Sequence, residues 1–89
     1  MTGLPDFRFA VDVMPKPGIL DPQGRAVEQS LGHLEDVPAE AVRDVRVGRR
    51  VELTVQAHAE DEARAVAGRL AEELLSNPLI ETWSLERLA

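Results

Sequence analysis

Two histidines, His33 and His58, are the only side chains in the sequence that normally titrate near neutral pH. A catalytic or metal-binding histidine needs positioned partners, and only Glu60 and Asp61 follow His58, on a predicted exposed turn. The serines lack the sequence context of an activated nucleophile, and the carboxylates follow the solvent faces of predicted helices. We therefore predict no catalytic residue and no metal site on this chain.

One loop has the composition of an anion-binding loop. Gly18 and Gly24 flank a predicted helix start, where free amides can bind phosphate. Asp21 and Pro22 occupy that start, however. The Asp side chain can accept a hydrogen bond from a first-turn amide, and Pro lacks the amide that would otherwise be unpaired. Lys16 also precedes the glycines, whereas the lysine of a phosphate loop follows them. The pattern favours a capped helix over a nucleotide site.

The composition limits the class of protein. With 89 residues, we expect a flexible lead-in over residues 1–6 and a single domain over residues 7–89, marginal alone and favoured by self-association. There is no cysteine, which excludes disulfides and thiolate metal sites. The net charge of −6 and 3% aromatic content argue against nucleic acid as a partner. No apolar run is long enough for a membrane span, so we predict a cytoplasmic protein.

Alternating apolar residues over positions 7–13 predict a strand with one buried face. From Asp21 the period changes, and Val27, Leu31 and Leu34 follow one another at helical spacing. This amphipathic helix should end before Pro38, because the residue preceding a proline disfavours the helical region.

Residues 43–57 predict a hairpin. Val45 and Val47 alternate with polar residues, and residues 51–57 alternate again. Gly48 and Arg49 fit a two-residue turn whose first position needs a positive φ.

A second helix is predicted from Glu60 to Leu74, and it should end at the sequence Ser-Asn-Pro of residues 76–78. Residues 79–88 predict a last strand. Its phase is undecided, because Trp83 and Leu85 favour one face and Ile80 favours the other.

The order strand, helix, strand, strand, helix, strand predicts an α+β protein of ferredoxin-like β-α-β-β-α-β architecture. One antiparallel sheet would then have both helices on one face. The other face, including Ala10 and Met14, would stay uncovered and, like a sheet edge, would be available for self-association.

Three segments resemble a known family. Residues 11–13 and 16–27 closely resemble PurS, the small subunit of phosphoribosylformylglycinamidine (FGAM) synthase. Residues 44–53 resemble the hairpin of that family, and residues 74–81 resemble the exit of its second helix. The similarity covers about residues 7–86, with the segments in the same order as in the family. The chain departs from the family pattern in a longer lead-in and in residues 35–41.

The resemblance implies a role in a complex that makes formylglycinamidine ribonucleotide in purine biosynthesis. It implies a large synthetase subunit that binds ATP and Mg²⁺, a glutaminase subunit that releases ammonia, and a small subunit without cofactor or active site that bridges the two and supports ammonia transfer. It also implies homodimers that can pair further into tetramers and exchange elements between protomers. The family motif places interface residues at Lys16, Pro17, Gly18, Asp21, Pro22, Gly24, Arg46, Gly48, Asn77 and Pro78.

A second hypothesis is a stand-alone ligand-sensing dimerisation domain of the ACT-like kind. It has the same order of strands and helices, a tendency to dimerise and a glycine-bearing loop after the first strand. Such a domain would bind a small amino acid at its dimer interface.

Overall fold

The structure, a computed structural model, describes residues 3–89 except for the side chain of Ala39. Met1 and Thr2 of the predicted lead-in lie outside the described residues. No helix in the described part of the chain is long and apolar enough to cross a membrane. The elements in order are β1 (Asp6–Pro15), α1 (Pro22–Ser30) with a 3-10 turn (Leu31–His33), a second 3-10 turn (Ala39–Ala41), β2 (Arg49–Gln56), α2 (Glu60–Leu70) with a π-helical turn (Ala71–Leu75), and β3 (Glu81–Arg87).

The three strands form one antiparallel sheet in the order β2-β1-β3. The long alternating run of β1 lies in the centre, where Phe9 faces Leu53 on one side and Arg87 on the other. The predicted α+β, ferredoxin-like class is confirmed. The first strand and the second helix also match their predicted positions closely, since β1 extends the predicted run by only a few residues.

The predicted hairpin is wrong. Residues 42–48 form no strand, and β2 pairs with β1 instead of with them. Gly48 does not adopt the positive φ of a hairpin turn, which among the described glycines occurs at Gly18. A Cβ at Gly48 would overlap the Val13 carbonyl oxygen and the Met14 sulfur, so this glycine permits a close approach to the end of β1. The first helix ends before Pro38 as predicted, but Leu34 is not part of it, because α1 ends at Ser30 and continues as a 3-10 turn over Leu31–His33.

The core lies between the sheet and α2. Phe9 and Val11 of β1 are fully buried beneath a stripe of small residues on α2, including Ala63 and Ala67. Alanines bring the helix close to the strand, which suits a chain with few aromatic residues. Gly68 is not required for this approach, because a Cβ there would make an ordinary 3.5 Å contact with the Trp83 ring.

The phase of the last strand is settled by its start at Glu81. Trp83 and Leu85 pack against the core on the α2 side, and Ile80 lies in the turn before the strand.

The other sheet face is charged. Ala10 is fully buried there, and Arg50 contacts Asp12, Glu52 and Glu86 at 3.3–3.4 Å. Charged side chains from all three strands surround the small residue in the middle of this face, which the sequence predicted to stay uncovered.

The protomer is elongated. Its radius of gyration is 17.7 Å, compared with about 12 Å for a compact chain of this length. The reason is that α1 projects away from the sheet instead of packing beside α2. As a result, Val27 and Leu34 are 44% and 54% exposed.

Candidate functional site

The loop after β1, α1 and the extended segment before β2 form one unit, which we call the arm (residues 16–30 and 42–48). Of the ten interface residues predicted from the sequence, all but Asn77 and Pro78 lie in the arm. The structure therefore brings together residues that are up to 32 positions apart. The arm is the candidate functional site.

The loop at the base of the arm is a tight turn. The Ile19 amide donates to the Lys16 carbonyl at 3.2 Å, and Gly18 has a φ of +82°. Pro17 followed by a glycine with positive φ is the sequence preference of a type II turn. The Lys16 amide also donates to the Ile80 carbonyl at 2.8 Å, which fastens the loop to the turn before β3.

Two carboxylates of α1 bind the segment that was predicted as a strand. Asp21 caps the helix as predicted, because its Oδ1 accepts a hydrogen bond from the Gly24 amide at 3.0 Å. Its Oδ2 accepts one from the Val47 amide at 2.7 Å, and Glu28 accepts one from the Val45 amide at 2.9 Å. A signal for this existed in the sequence: the two acids are seven residues apart, on one face of a helix.

Gly24 has a packing role in the arm. It is buried, and a Cβ at this position would overlap the Val45 carbonyl oxygen. The extended segment can lie against α1 only because this position has no side chain. Gly24 therefore serves close approach of two backbones.

Asn77 and Pro78 lie in the turn that leads into β3. The Asn77 carbonyl accepts hydrogen bonds from the Ile80 and Glu81 amides at 3.0 and 2.8 Å. The Glu81 carboxylate in turn accepts from the Asn77 amide at 2.7 Å and from both Nη atoms of Arg49 at 2.8 and 3.0 Å. The Arg49 guanidinium, and next the Asn77 amide, lower the pKa of Glu81. Sequence analysis missed the Arg49–Glu81 pair because its members are 32 residues apart.

A groove of about 410 Å³ separates this turn from the arm. Ile19 and Leu20 line it on the arm side, and Ile80 and Glu81 line it on the other. The ten predicted interface residues thus lie on two structures, the arm and the turn before β3, which the hydrogen bond from the Lys16 amide to the Ile80 carbonyl joins.

The amides of Gly24 and Val47 hold the pKa of Asp21 below the ordinary value of an aspartate, and the nearby charge of Arg46 lowers it further. The folded pKa is therefore below the unfolded value of about 3.9. Stability from this carboxylate is present above the unfolded pKa and is lost as the pH falls through the folded pKa.

We expect Asp21→Asn to reduce the free energy of unfolding most at neutral pH, because Asn brings an amide group toward the Val47 donor. The difference from the wild type should shrink toward zero as the pH falls below the folded pKa. Urea unfolding at a series of pH values measures this, with Asp36→Asn as a control that removes an exposed carboxylate. The prediction is contradicted if the free energies of unfolding of the wild type and Asp21→Asn differ by the same amount at every pH.

The histidines do not join this site. His33 lies in the 3-10 turn after α1, and His58 is exposed before α2, with its Nδ1 3.5 Å from Glu62 Oε1. Across residues 3–89 no three potential metal ligands lie close together. The arm brings together charged side chains and hydrogen-bonded backbone segments. This arrangement is more typical of a binding surface than of a catalytic site.

Comparison with known proteins gives consistent matches over nearly the whole chain. Residues 8–89 match the family model described as PurS, phosphoribosylformylglycinamidine (FGAM) synthase. A Mycobacterium leprae FGAM synthase subunit PurS is 40% identical over 80 residues, which cover 90% of this chain and 94% of the relative. The Thermotoga maritima subunit PurS is 32% identical over 85 residues, which cover 96% of this chain and 100% of the relative.

Solved structures agree. The crystal structure of the T. maritima FGAM synthase purS subunit superposes with a TM-score of 0.83 at 32% identity and covers 98% of this chain and 97% of that one. A chain in the structure of PurLQS from T. maritima also gives a TM-score of 0.83 at 32% identity, covering 96% and 100%.

Proposed function

The chain belongs to the PurS family of FGAM synthase subunits, and we propose that it bridges the glutaminase and synthetase subunits of that complex in purine biosynthesis. The observation that carries the proposal is the family match over residues 8–89. A structure titled PurLQS, which contains a 32% identical chain of the same fold, supports an assembly of this kind.

In this proposal the chain acts by position. ATP and Mg²⁺ bind to the large subunit, glutamine is hydrolysed on the glutaminase subunit, and both reactions take place in the cytoplasm. The small subunit holds the two active sites in register, so that ammonia passes between them without escaping or becoming protonated. The hydrogen bonds that hold the extended segment of the arm against α1 suit this role, because preordered contacts lose less entropy on binding.

Residues 7–89 act as one domain in this scheme. The arm residues Lys16, Pro17, Gly18 and Arg46 present the contact surface, and Asp21, Pro22, Gly24 and Gly48 give the arm its shape. Asn77 and Pro78 support it from the other side of the groove. The hydrogen bonds of Asp21 and the close packing of Gly24 favour this division of roles.

Self-association is the second part of the proposal. Val27 on α1 and Leu34 just after the 3-10 turn line an apolar groove of about 370 Å³, and both side chains are about half exposed in the protomer. A second copy is the partner that is always present at equal concentration, and twofold pairing buries the same face on both copies. We propose that this face lies between protomers, in a homodimer that can pair further and exchange elements.

The ligand-sensing alternative receives less support. An ACT-like domain would share the order of elements, but the match to PurS relatives extends over at least 90% of this chain. Calorimetric titration with amino acids should give no saturable heat. A saturable site would favour the alternative.

The bridging role can be tested on the double variant Lys16→Ala with Gly18→Ala. Alanine strains the turn, since Gly18 has a positive φ, and Lys16 is the only lysine of the chain. We expect glutamine-dependent synthesis to fall about tenfold, while synthesis from free ammonium falls much less, because only the former needs the two sites in register. Steady-state rates of the reconstituted complex measure both.

Arg69→Ala with Gly32→Ala is the matched control, since it removes one exposed cation and one glycine with open space around it. Equal loss of both activities in the arm variant would show that the loop serves assembly alone. The proposed function as a whole fails if a strain without this chain grows normally without purines and has no second copy.

A further inference from the structure

The arm joins the sheet at two points. It begins at Lys16, directly after β1, and it ends at Gly48, directly before β2. Beyond these points a groove of about 410 Å³ lies between the arm and the turn before β3, and α1 projects away from the sheet. The orientation of the arm therefore depends mainly on what holds its two ends.

One ion pair lies beside both ends of the arm. Arg49 is the first residue of β2, and Glu81 is the first residue of β3. These strands flank β1 on its two sides, and their first residues are opposite Val13 and Pro15 of that central strand. The pair therefore reaches across the end of β1, where the chain leaves the sheet and enters the arm.

The contacts of this pair have a fixed geometry. Both Nη atoms of Arg49 donate to the Glu81 carboxylate, at 2.8 and 3.0 Å, and one of them also donates to the Leu75 carbonyl oxygen at the end of the π-helical turn. Such a two-bond pair is more specific than an ordinary surface ion pair, and a lysine cannot reproduce it. The Arg49 side chain is 50% exposed, whereas that of Glu81 is only 17% exposed. Arg49 thus connects β2, β3 and the end of the second helix.

The Glu81 carboxylate also shapes the turn that holds the start of the arm. It accepts the Asn77 amide at 2.7 Å, and the Asn77 carbonyl accepts the Ile80 and Glu81 amides. The Ile80 carbonyl of this turn accepts the Lys16 amide at 2.8 Å. A continuous series of hydrogen bonds therefore leads from the ion pair to the first residue of the arm.

The other end of the arm is held by the same pair. Gly48 lies so close to the Val13 carbonyl oxygen that a Cβ would overlap it, and Arg49 follows Gly48 directly. Because Gly48 and Arg49 share one planar peptide bond, the contacts of Arg49 also restrain Gly48. Both ends of the arm are therefore restrained by one ion pair.

We propose that Arg49 and Glu81 are positioning residues, which fix the orientation of the arm relative to the sheet. The consequence for synthesis rests on the proposed function: an arm of variable orientation keeps the glutaminase and synthetase sites in register for less of the time. Neither side chain takes part in bond-making chemistry. Weakening the pair should therefore reduce the coupling of the two sites and leave the synthetase reaction itself nearly unchanged.

The orientation of the arm can be measured without the other subunits. The chain has no cysteine, so Gln29→Cys on α1 and Ala65→Cys on α2, both exposed, can each carry a spin label. Double electron–electron resonance then gives the distance between the two labels, with the labelled chain diluted in unlabelled chain. We expect the distance distribution to become about twofold broader in Arg49→Lys, because lysine keeps the charge and loses the two-bond geometry.

Arg50→Lys is the matched control. Arg50 is the next residue of β2 and also pairs with carboxylates, but these are Asp12, Glu52 and Glu86 on the other face of the sheet. The distance distribution in Arg50→Lys should match that of the wild type, because none of these contacts leads to the arm.

The complex reconstituted with the other two subunits gives the functional readout. In Arg49→Lys we expect glutamine-dependent synthesis to fall about tenfold and synthesis from free ammonium to stay within about twofold of the wild type, because only the former needs the two sites in register. Glu81→Gln should have the same effect. The double variant Arg49→Lys with Glu81→Gln should lose little more, since the two residues act as one unit. Arg50→Lys should keep both rates within about twofold of the wild type.

Equal distance distributions in the wild type and Arg49→Lys would overturn the proposal. So would equal effects of Arg49→Lys and Arg50→Lys, fully additive losses in the double variant, or equal loss of both activities, which would assign the pair to folding or assembly alone. If the wild-type complex shows no glutamine-dependent synthesis that requires this chain, the proposed function is wrong, and the distance measurement still decides whether the pair orients the arm.

Discussion

Replacing Gly24 by alanine will lower the free energy of unfolding by about 3 kcal/mol, near the upper end of overpacking effects. In most helical positions this change stabilises, because alanine has the higher helix propensity. Here the new Cβ would overlap the Val45 carbonyl oxygen, and both partners are backbone that cannot rotate away. The clash should therefore outweigh the gain in propensity and separate the extended segment from α1.

Gly32→Ala is the matched control, since a Cβ there has open space within 4 Å. Its effect should stay within about 1 kcal/mol. Urea unfolding at one fixed protomer concentration measures both variants. Hydrogen exchange adds a local readout: the Val45 and Val47 amides, which donate to Glu28 and Asp21, should exchange faster in Gly24→Ala. Similar stability of the two variants would contradict the packing role of Gly24.

Val27→Asp will weaken self-association at least about 30-fold, the effect expected of a central apolar contact in an interface. Val27 is 44% exposed in the protomer, so a carboxylate there costs little in the separated chain. In the proposed dimer the same carboxylate would be buried against apolar groups without a partner. Sedimentation equilibrium over a range of concentrations measures the change.

Gln29→Asp is its matched control, because it adds the same charge to the same helix at an exposed position on another side. We expect it to leave the dissociation constant within about threefold of the wild type. If both variants dissociate alike, α1 does not form the interface through its apolar face, and the open edges of β2 and β3 become the better candidates.

The arm shows where sequence analysis succeeded. The Asp-Pro start of α1 was predicted from capping preferences alone, and the structure has the predicted hydrogen bond from Gly24 to Asp21. The turn at Pro17 and Gly18 was not predicted, but it also agrees with the backbone preferences of these two neighbouring residues. These features depend on residues within three or four positions of each other, so local chemistry is sufficient to predict them.

The segment before β2 shows where it failed. Val45 and Val47 alternate with polar residues, as strand residues do, and strand pairing was the simplest explanation. Their amides instead bind carboxylates that lie 17 and 26 residues earlier. Period-two alternation indicates an extended backbone with two different sides. It does not indicate whether a neighbouring strand or a helix side chain binds the backbone amides.

Five features could be predicted from the sequence alone: the α+β class, the central strand β1, the small-residue stripe of α2, the capped start of α1 and the family. Each of these depends on periodicity, capping or a motif of neighbouring residues. Only the packing of the elements shows that residues 42–48 form no strand, that α1 projects from the sheet, and that Arg49 pairs with Glu81. The physical reason is that these features are contacts between distant residues, which depend on how the elements pack.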